Sequence, residues 1–339
     1  MMKPRLVLLT LVALICSSGI YGQMNYSFKF KINGLKDTTC LLAYYYSNGT
    51  YIKDTLKVDG SGRCSYKAPA TTLKKGLYTL VITDKKYFDF VVNNDYRFSI
   101  ETSAAEPGKR MVIKDSPEND LFYEYLQTTR AKYEQIQGYE NSLKSVAENK
   151  DSSAFYTKKM EAVNKDLIAY KLGIVKKHPS SFVSLMINTM KEPEIPEIPI
   201  LPNGRQDSVF AYRYYKSHFW DDCDFTDDRM LRTPIFHNKL KKYYDNVLFQ
   251  IPDTIIRETD ALIEKGRSNE EVFKYLIWFT TYHYETSEIM GFDKIFVHVV
   301  DKYYVTGQTT WISKDMSEKI IKKANKIRPI LLGETAPNM

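Results

Sequence analysis

At Ser116-Pro117 the apolar residues of this chain change their spacing from every second position to every third or fourth, so a sheet region must give way to a helical one there. Before the switch, Tyr26, Phe28, Phe30 and Ile32 alternate with Ser27, Lys29 and Lys31, the pattern of a half-buried strand. Further strand-like runs cover 39–46, 50–58, 63–67, 77–83, 87–92, 96–101 and 109–114. Asn33-Gly34, Asn48-Gly49, Asp59-Gly60-Ser61-Gly62, Asp84-Lys85-Lys86 and Asn93-Asn94-Asp95 separate them as turns. Phe88, Phe90 and Val92 before the Asn-Asn-Asp segment, with Tyr96, Phe98 and Ile100 after it, predict a hairpin. Strands at this spacing with no helical period between them predict an antiparallel β-sandwich over residues 25–115.

Beyond the switch, Ser116 is a natural helix cap, Pro117 suits the first helical position and Glu118 adds a favourable charge. Two long polar helices are predicted at 117–147 and 152–177, within a helical block at 116–191. Residues 192–205 include EPEIPEIPILPN, whose four prolines forbid a helix and predict an extended connector. Helical period then returns over 206–330. Ile235, Phe236, Leu240, Tyr243 and Val247 share one face. So do Val272, Tyr275, Leu276, Phe279 and Tyr282, then Phe292, Phe296, Val299 and Tyr303, then Met316, Ile320, Ala324 and Ile327. The expected fold class is α+β and multidomain: an N-terminal antiparallel β-sandwich followed by an all-α helical module.

Residues 1–22 carry Lys3 and Arg5, an apolar stretch from Leu6 to Cys16, and small or polar residues to Gly22, the layout of a secretory signal peptide. Lipid attachment at Cys16 is the less favoured alternative, because bulky Ile15 precedes it where a small residue is wanted. No later stretch reaches the ~20 apolar residues of a spanning helix, so the expected destination is the periplasm of a Gram-negative bacterium. The 339 residues carry a net charge of +7, or +5 without Lys3 and Arg5, and the excess is scattered, which argues against a nucleic-acid partner.

Without the leader three cysteines remain, Cys40, Cys64 and Cys223, and no Cys-x-x-Cys occurs. Thiol–disulfide exchange needs an attacking thiolate beside a resolving thiol, so this stretch lacks a catalytic redox pair. Cys40 and Cys64 lie in two predicted strands, and either a disulfide or two separately buried thiols fits them. The segment from Tyr212 to Arg229 gathers five Asp, His218 and Cys223 beside an aromatic run, but its spacing matches no EF-hand loop. Its aromatics are expected to pack inward while Asp224 to Asp228 form a turn and a helix cap. His237, His283 and His298 fall on predicted helices without a His-x-x-x-His spacing, so no metal set is assigned, and no cofactor fingerprint is present. The chain holds 26 Tyr, 17 Phe and 3 Trp; cores consume most such rings, and exposed ones would suit sugars or peptides.

Phe30-Lys31-Ile32-Asn33-Gly34-Leu35, Asp54-Thr55-Leu56-Lys57-Val58-Asp59 and Ile113-Lys114-Asp115-Ser116-Pro117-Glu118-Asn119 resemble an uncharacterised β domain. That domain precedes thioredoxin-like modules in exported thiol–disulfide oxidoreductases of Gram-negative bacteria. His218-Phe219-Trp220-Asp221, Arg229-Met230-Leu231-Arg232-Thr233-Pro234, Tyr284-Glu285-Thr286-Ser287 and Met290-Gly291-Phe292-Asp293 are similar to the helical domain of unknown function that follows it. Gly333-Glu334-Thr335-Ala336-Pro337-Asn338-Met339, within 331–339, looks like the entry to the thioredoxin-like domain itself. The resemblance implies a non-catalytic N-terminal portion of such an oxidoreductase, not itself an enzyme, that binds or positions a protein or peptide partner. The alternative is a periplasmic or surface glycan- or peptide-binding module in which Trp220, Trp278 and Trp311 line a cleft.

Overall fold

A computed structural model describes residues 25–146 and 149–333. The leader at 1–22 and residues 334–339 of the expected thioredoxin-like entry lie outside the described residues. Eight strands come first: β1 Asn25–Asn33, β2 Thr38–Tyr46, β3 Gly49–Val58, β4 Arg63–Pro69, β5 Gly76–Thr83, β6 Lys86–Val92, β7 Arg97–Ser103 and β8 Val112–Lys114. They form two four-stranded sheets, β4-β1-β7-β8 and β3-β2-β5-β6. All pairings are antiparallel except β1 with β7, which run parallel, a departure from the purely antiparallel expectation.

The predicted hairpin across Asn93-Asn94-Asp95 does not form. β6 belongs to one sheet and β7 to the other, and the chain crosses the sandwich between them. The reason is burial: Phe88 and Phe90 from one sheet meet Phe30, Phe28 and Phe98 from the other, with the Phe90 and Phe98 rings 6.0 Å apart. Two strands that each supply one wall of a core cannot also lie side by side in the same wall.

Nine α-helices follow among the described residues: α1 Pro117–Ser145, α2 Lys150–Lys177, α3 Phe182–Met190, α4 Phe210–His218, α5 Pro234–Lys242, α6 Pro252–Gly266, α7 Glu270–Glu285, α8 Asp293–Val299 and α9 Lys314–Ile327. Ser116 caps α1 by accepting the Asn119 amide at 3.2 Å, with Pro117 in the first turn, and Ser181, Asn269 and Ser313 cap α3, α7 and α9 in the same way. Two π-helical stretches, Tyr243–Val247 and Val300–Val305, extend α5 and α8. The proline-rich segment is extended and anchored, since Glu192 binds Lys242 and accepts from Tyr215 while Lys239 donates to the Lys191 carbonyl.

Leu77 on β5 and Val91 on β6 belong to the helical core, so the helices pack on the outer face of the β3-β2-β5-β6 sheet. β5 is therefore covered on both sides, and its sequence GLYTLVIT is apolar without clean alternation. The face of α7 is also not as its period predicted. Tyr275, Leu276 and Phe279 point inward, but Tyr282 is 57% exposed because Trp278 and Tyr282 stack on each other outside the core.

Candidate functional site

Two motifs that stand out in the sequence, Ser116 to Asn119 and Arg229 to Pro234, lie at the seam between sandwich and helices. The β2–β3 hairpin reaches across it with Ser47, which is buried at φ 58°. Pairing of Tyr46 with Gly49 leaves a two-residue turn, Ser47-Asn48, whose first position forces the positive φ that side chains resist by ~1–2 kcal/mol. Bonds across the seam hold it there. The Ser47 amide donates to the Leu231 carbonyl at 2.8 Å, and its hydroxyl lies 2.8 Å from Tyr275 Oη and 3.1 Å from His237 Nδ1. Burial, with the charges of Lys241 and His283, pushes the His237 pKa down, which favours the neutral ring. Ser47 beside a histidine has the reach of a nucleophile and its base, but its hydroxyl is closed in by the seam and turned to Tyr275.

A second set of bonds comes from Arg229 to Pro234. Arg229 makes a forked ion pair with Asp227 and also donates to Asn93 Oδ1 at 3.1 Å, from helix to sandwich. Arg232 is 5% exposed, holds Asp228 at 2.9 Å and packs against Gly76 of β5. The third set comes from Ser116 to Asn119. Asn119 Oδ1 accepts the Val91 amide at 2.7 Å while its Nδ2 donates to the Val91 carbonyl at 2.9 Å, so one side chain pairs the edge of β6 as a strand would. Glu118 accepts from Asn93 and from the Phe182 amide at the start of α3. Beside the seam lies a groove of about 720 Å³ lined by Tyr44, Tyr46, Tyr51, Lys53, Arg232 and Glu271.

Cys40 and Cys64 are free thiols in the sandwich core, on β2 and β4, and Cys223 is buried beside Met230 with its Sγ 3.8 Å from the thioether sulfur. Burial raises the Cys40 thiol pKa. Burial, with help from Cys40 and Asp59, pushes Cys64 up to about 12, and burial takes Cys223 up to about 12 against a weaker pull from Lys239. All three are thus poor nucleophiles where they stand.

The three tryptophans part company. Trp220 is enclosed by Phe219, Phe225, Phe236 and Tyr243, which corrects the expectation that it contacts a ligand: its ring is consumed by the helical core. Trp278 is 46% exposed and parallel to Tyr282, with ring centres 5.8 Å apart. Trp311 is half-buried on Phe273, with Lys274 Nζ 5.6 Å from its ring, and Trp278 follows Lys274 one turn later on α7. Two of the three therefore border one surface stripe.

Each acidic side chain of the 221–228 segment has its own partner: Asp221 with His218, Asp222 with Lys191, Asp224 with Thr226, Asp227 with Arg229 and Asp228 with Arg232. His283 meets Asp245 and His298 meets Asp260. Among the described residues no three His, Cys, Asp or Glu side chains gather to hold one ion, and no helix is long and apolar enough to cross a membrane. Sequence reading passed over Asn119, Ser47 and Tyr275 as site residues. The only signals were the Ser-Pro-Glu-Asn cap and the Asn-Gly turn, both of which read as local punctuation.

Residues 157–336, just over half of the chain, match a family described as Domain of unknown function (DUF5106). The match starts within α2 and takes in Arg229 to Pro234, His237 and Tyr275 on the helical side of the seam, but not the start of α1 with Asn119. No curated protein and no solved structure matches the chain.

Proposed function

Because the chain belongs to the DUF5106 family, and its family region is bonded to a β-sandwich through buried polar contacts, we propose that it is a partner-binding and positioning unit. On this reading it is the non-catalytic portion of an exported, periplasmic thioredoxin-like thiol–disulfide oxidoreductase. The observation that carries the proposal is the seam. Ser47 and Asn119, each 4% exposed or less, and Arg229 through Asn93 tie the two halves together, so a surface on one is held at fixed distance and orientation from a surface on the other. Thiols that are buried and hard to ionise support the non-catalytic part of the reading.

Cys40, Cys64 and Cys223 should react with Ellman's reagent slowly in native buffer and promptly in denaturant, and the purified chain should show no thiol-dependent reduction of a disulfide substrate. Turnover that disappears in Cys223→Ser overturns the reading. One observation favours a second reading, a glycan- or peptide-binding module: the outward stripe of Lys274, Trp278 and Tyr282 bordered by Trp311 offers flat rings for a sugar face. Oligosaccharides or cell-wall peptides should then change tryptophan fluorescence in the native chain and leave Trp278→Ala unchanged. A silent native chain removes this second reading.

A further inference from the structure

A groove of about 930 Å³ lies away from the seam groove, between β6, the turn at Pro107-Gly108-Lys109 and α1. Tyr87, Asp89, Tyr123, Leu126 and Tyr133 line it. Tyr87 and Asp89 stand two residues apart on β6 and so project from the same face of the strand. Tyr87 and Tyr133 are 53% and 55% exposed at the rim, while Asp89 sits half-buried in the wall.

Asp89 is an acceptor without a cation. Its carboxylate takes a hydrogen bond from Tyr45 Oη at 3.1 Å and has the neutral Thr79 hydroxyl beside it, and the hydroxyl of Tyr123 donates to its backbone carbonyl at 2.6 Å. Among the described residues it forms no ion pair. The basic groups that line the groove are engaged elsewhere, Lys109 with Glu106 at 2.6 Å and Arg130 with Glu134 at 2.9 Å. The groups facing Asp89 from the elements packed around it are Tyr45 of β2, Thr79 of β5, Tyr87 of β6 and Tyr123 of α1, and none of them is positive. An ionised carboxylate drawn partly out of water without a counter-ion is unfavourable, and a cation arriving in the groove would relieve it. The tyrosine rings that line the groove, Tyr87, Tyr123 and Tyr133, are of the type whose quadrupoles attract an ammonium group.

We propose that this groove binds an alkylammonium group, the side chain of lysine or a similar primary amine, with Asp89 as its counter-ion and Tyr87 flanking the alkyl stem. The inference is independent of the positioning role. Burial raises the Asp89 carboxyl above its usual range, and the hydroxyls of Thr79 and Tyr45 oppose that only in part. The ionised form is the one that pairs with an amine, so binding should tighten as pH rises through the Asp89 pKa and should release a proton below it.

The test is calorimetric titration of the whole protein with Nα-acetyl-lysine amide, with its neutral isostere Nα-acetyl-norleucine amide, and with a short peptide carrying one lysine. Binding of the lysine compound but not the norleucine one, weakened by about tenfold or more in Asp89→Asn and strengthened with rising pH, upholds the proposal. Asp89→Asn keeps the acceptor for Tyr45, and its near-ultraviolet circular dichroism should match the native protein. Tyr87→Ala serves as a second variant that leaves the carboxylate in place and should also weaken binding. A peptide that binds tighter than the amide identifies a polypeptide as the source of the amine, and equal binding identifies a free amine. Equal affinity for lysine and norleucine compounds, no binding of either amine, or unchanged affinity in Asp89→Asn each overturn it.

Discussion

Asn119→Ala should destabilise the protein by about 2–6 kcal/mol in urea denaturation, because it leaves two backbone groups of Val91 buried without partners and each costs about 1–3 kcal/mol. Asn119 is fully buried, and its amide supplies both the acceptor for the Val91 N–H and a donor to the Val91 C=O. The same Nδ2 reaches Ser116 Oγ at 2.8 Å, and Ser116 in turn donates to Asp95 at 2.6 Å, so the start of α1 loosens together with the sheet edge. Hydrogen exchange gives the local readout: the Val91 amide should lose protection in Asn119→Ala far more than the amides of β1 do. Asn119→Asp keeps an acceptor, loses the donor and buries a charge, so it should also fall well below the native protein at neutral pH. A loss under about 0.5 kcal/mol for Asn119→Ala would mean that water replaces the amide and that this part of the seam is wet.

Gly76→Ala should cost about 1–3 kcal/mol from overpacking, although it adds a single methyl group. A Cβ built at Gly76 overlaps the Cβ of Arg232, the rigid root of that side chain. Arg232 cannot withdraw cheaply, since it is 5% exposed and leaving would strand Asp228 without its ion pair. The methyl group must therefore push β5 away from the 228–232 turn, and calorimetry should show unfolding of the sandwich and helices becoming less cooperative. Gly138→Ala is the matched control. It lies on the exposed face of α1 with nothing within 4 Å of its built Cβ, and should stabilise by about 0.5–1 kcal/mol through helix propensity. If the two variants behave alike, the seam is not tightly packed at Gly76.

Much of the fold is legible in the chain because short-range patterns report one-sided burial. β1 alternates because Tyr26, Phe28, Phe30 and Ile32 face a core and Lys29 and Lys31 do not. Helix α1 starts where Ser116 and Pro117 place it because capping is settled within three residues. Other features leave no such trace. The alternation of β6 and β7 is the same whether they pair or face each other across a core, so the parallel β1–β7 contact and the sheet crossing at Asn93 could not be read. On α7 apolar and aromatic residues occur on nearly every side, and only the neighbours of the helix decide that Phe279 is inside and Trp278 and Tyr282 outside.

The candidate site divides along the same line. Arg229 to Pro234 and Ser116 to Asn119 are visible as motifs, whereas their partners Asn93, Gly76 and Val91 lie elsewhere in the chain. The Ser47–His237 contact spans 190 positions, and no spacing rule reaches that far. Strand alternation, turn residues and helix caps determined the class of architecture and the order of its elements, because each rests on forces acting within a few residues. Sheet membership, the bonded seam, the burial of Trp220 and the uncompensated carboxylate of Asp89 were decided only in three dimensions. Each depends on which distant groups arrive to desolvate a side chain or to satisfy it, and that approach is a property of the packed molecule.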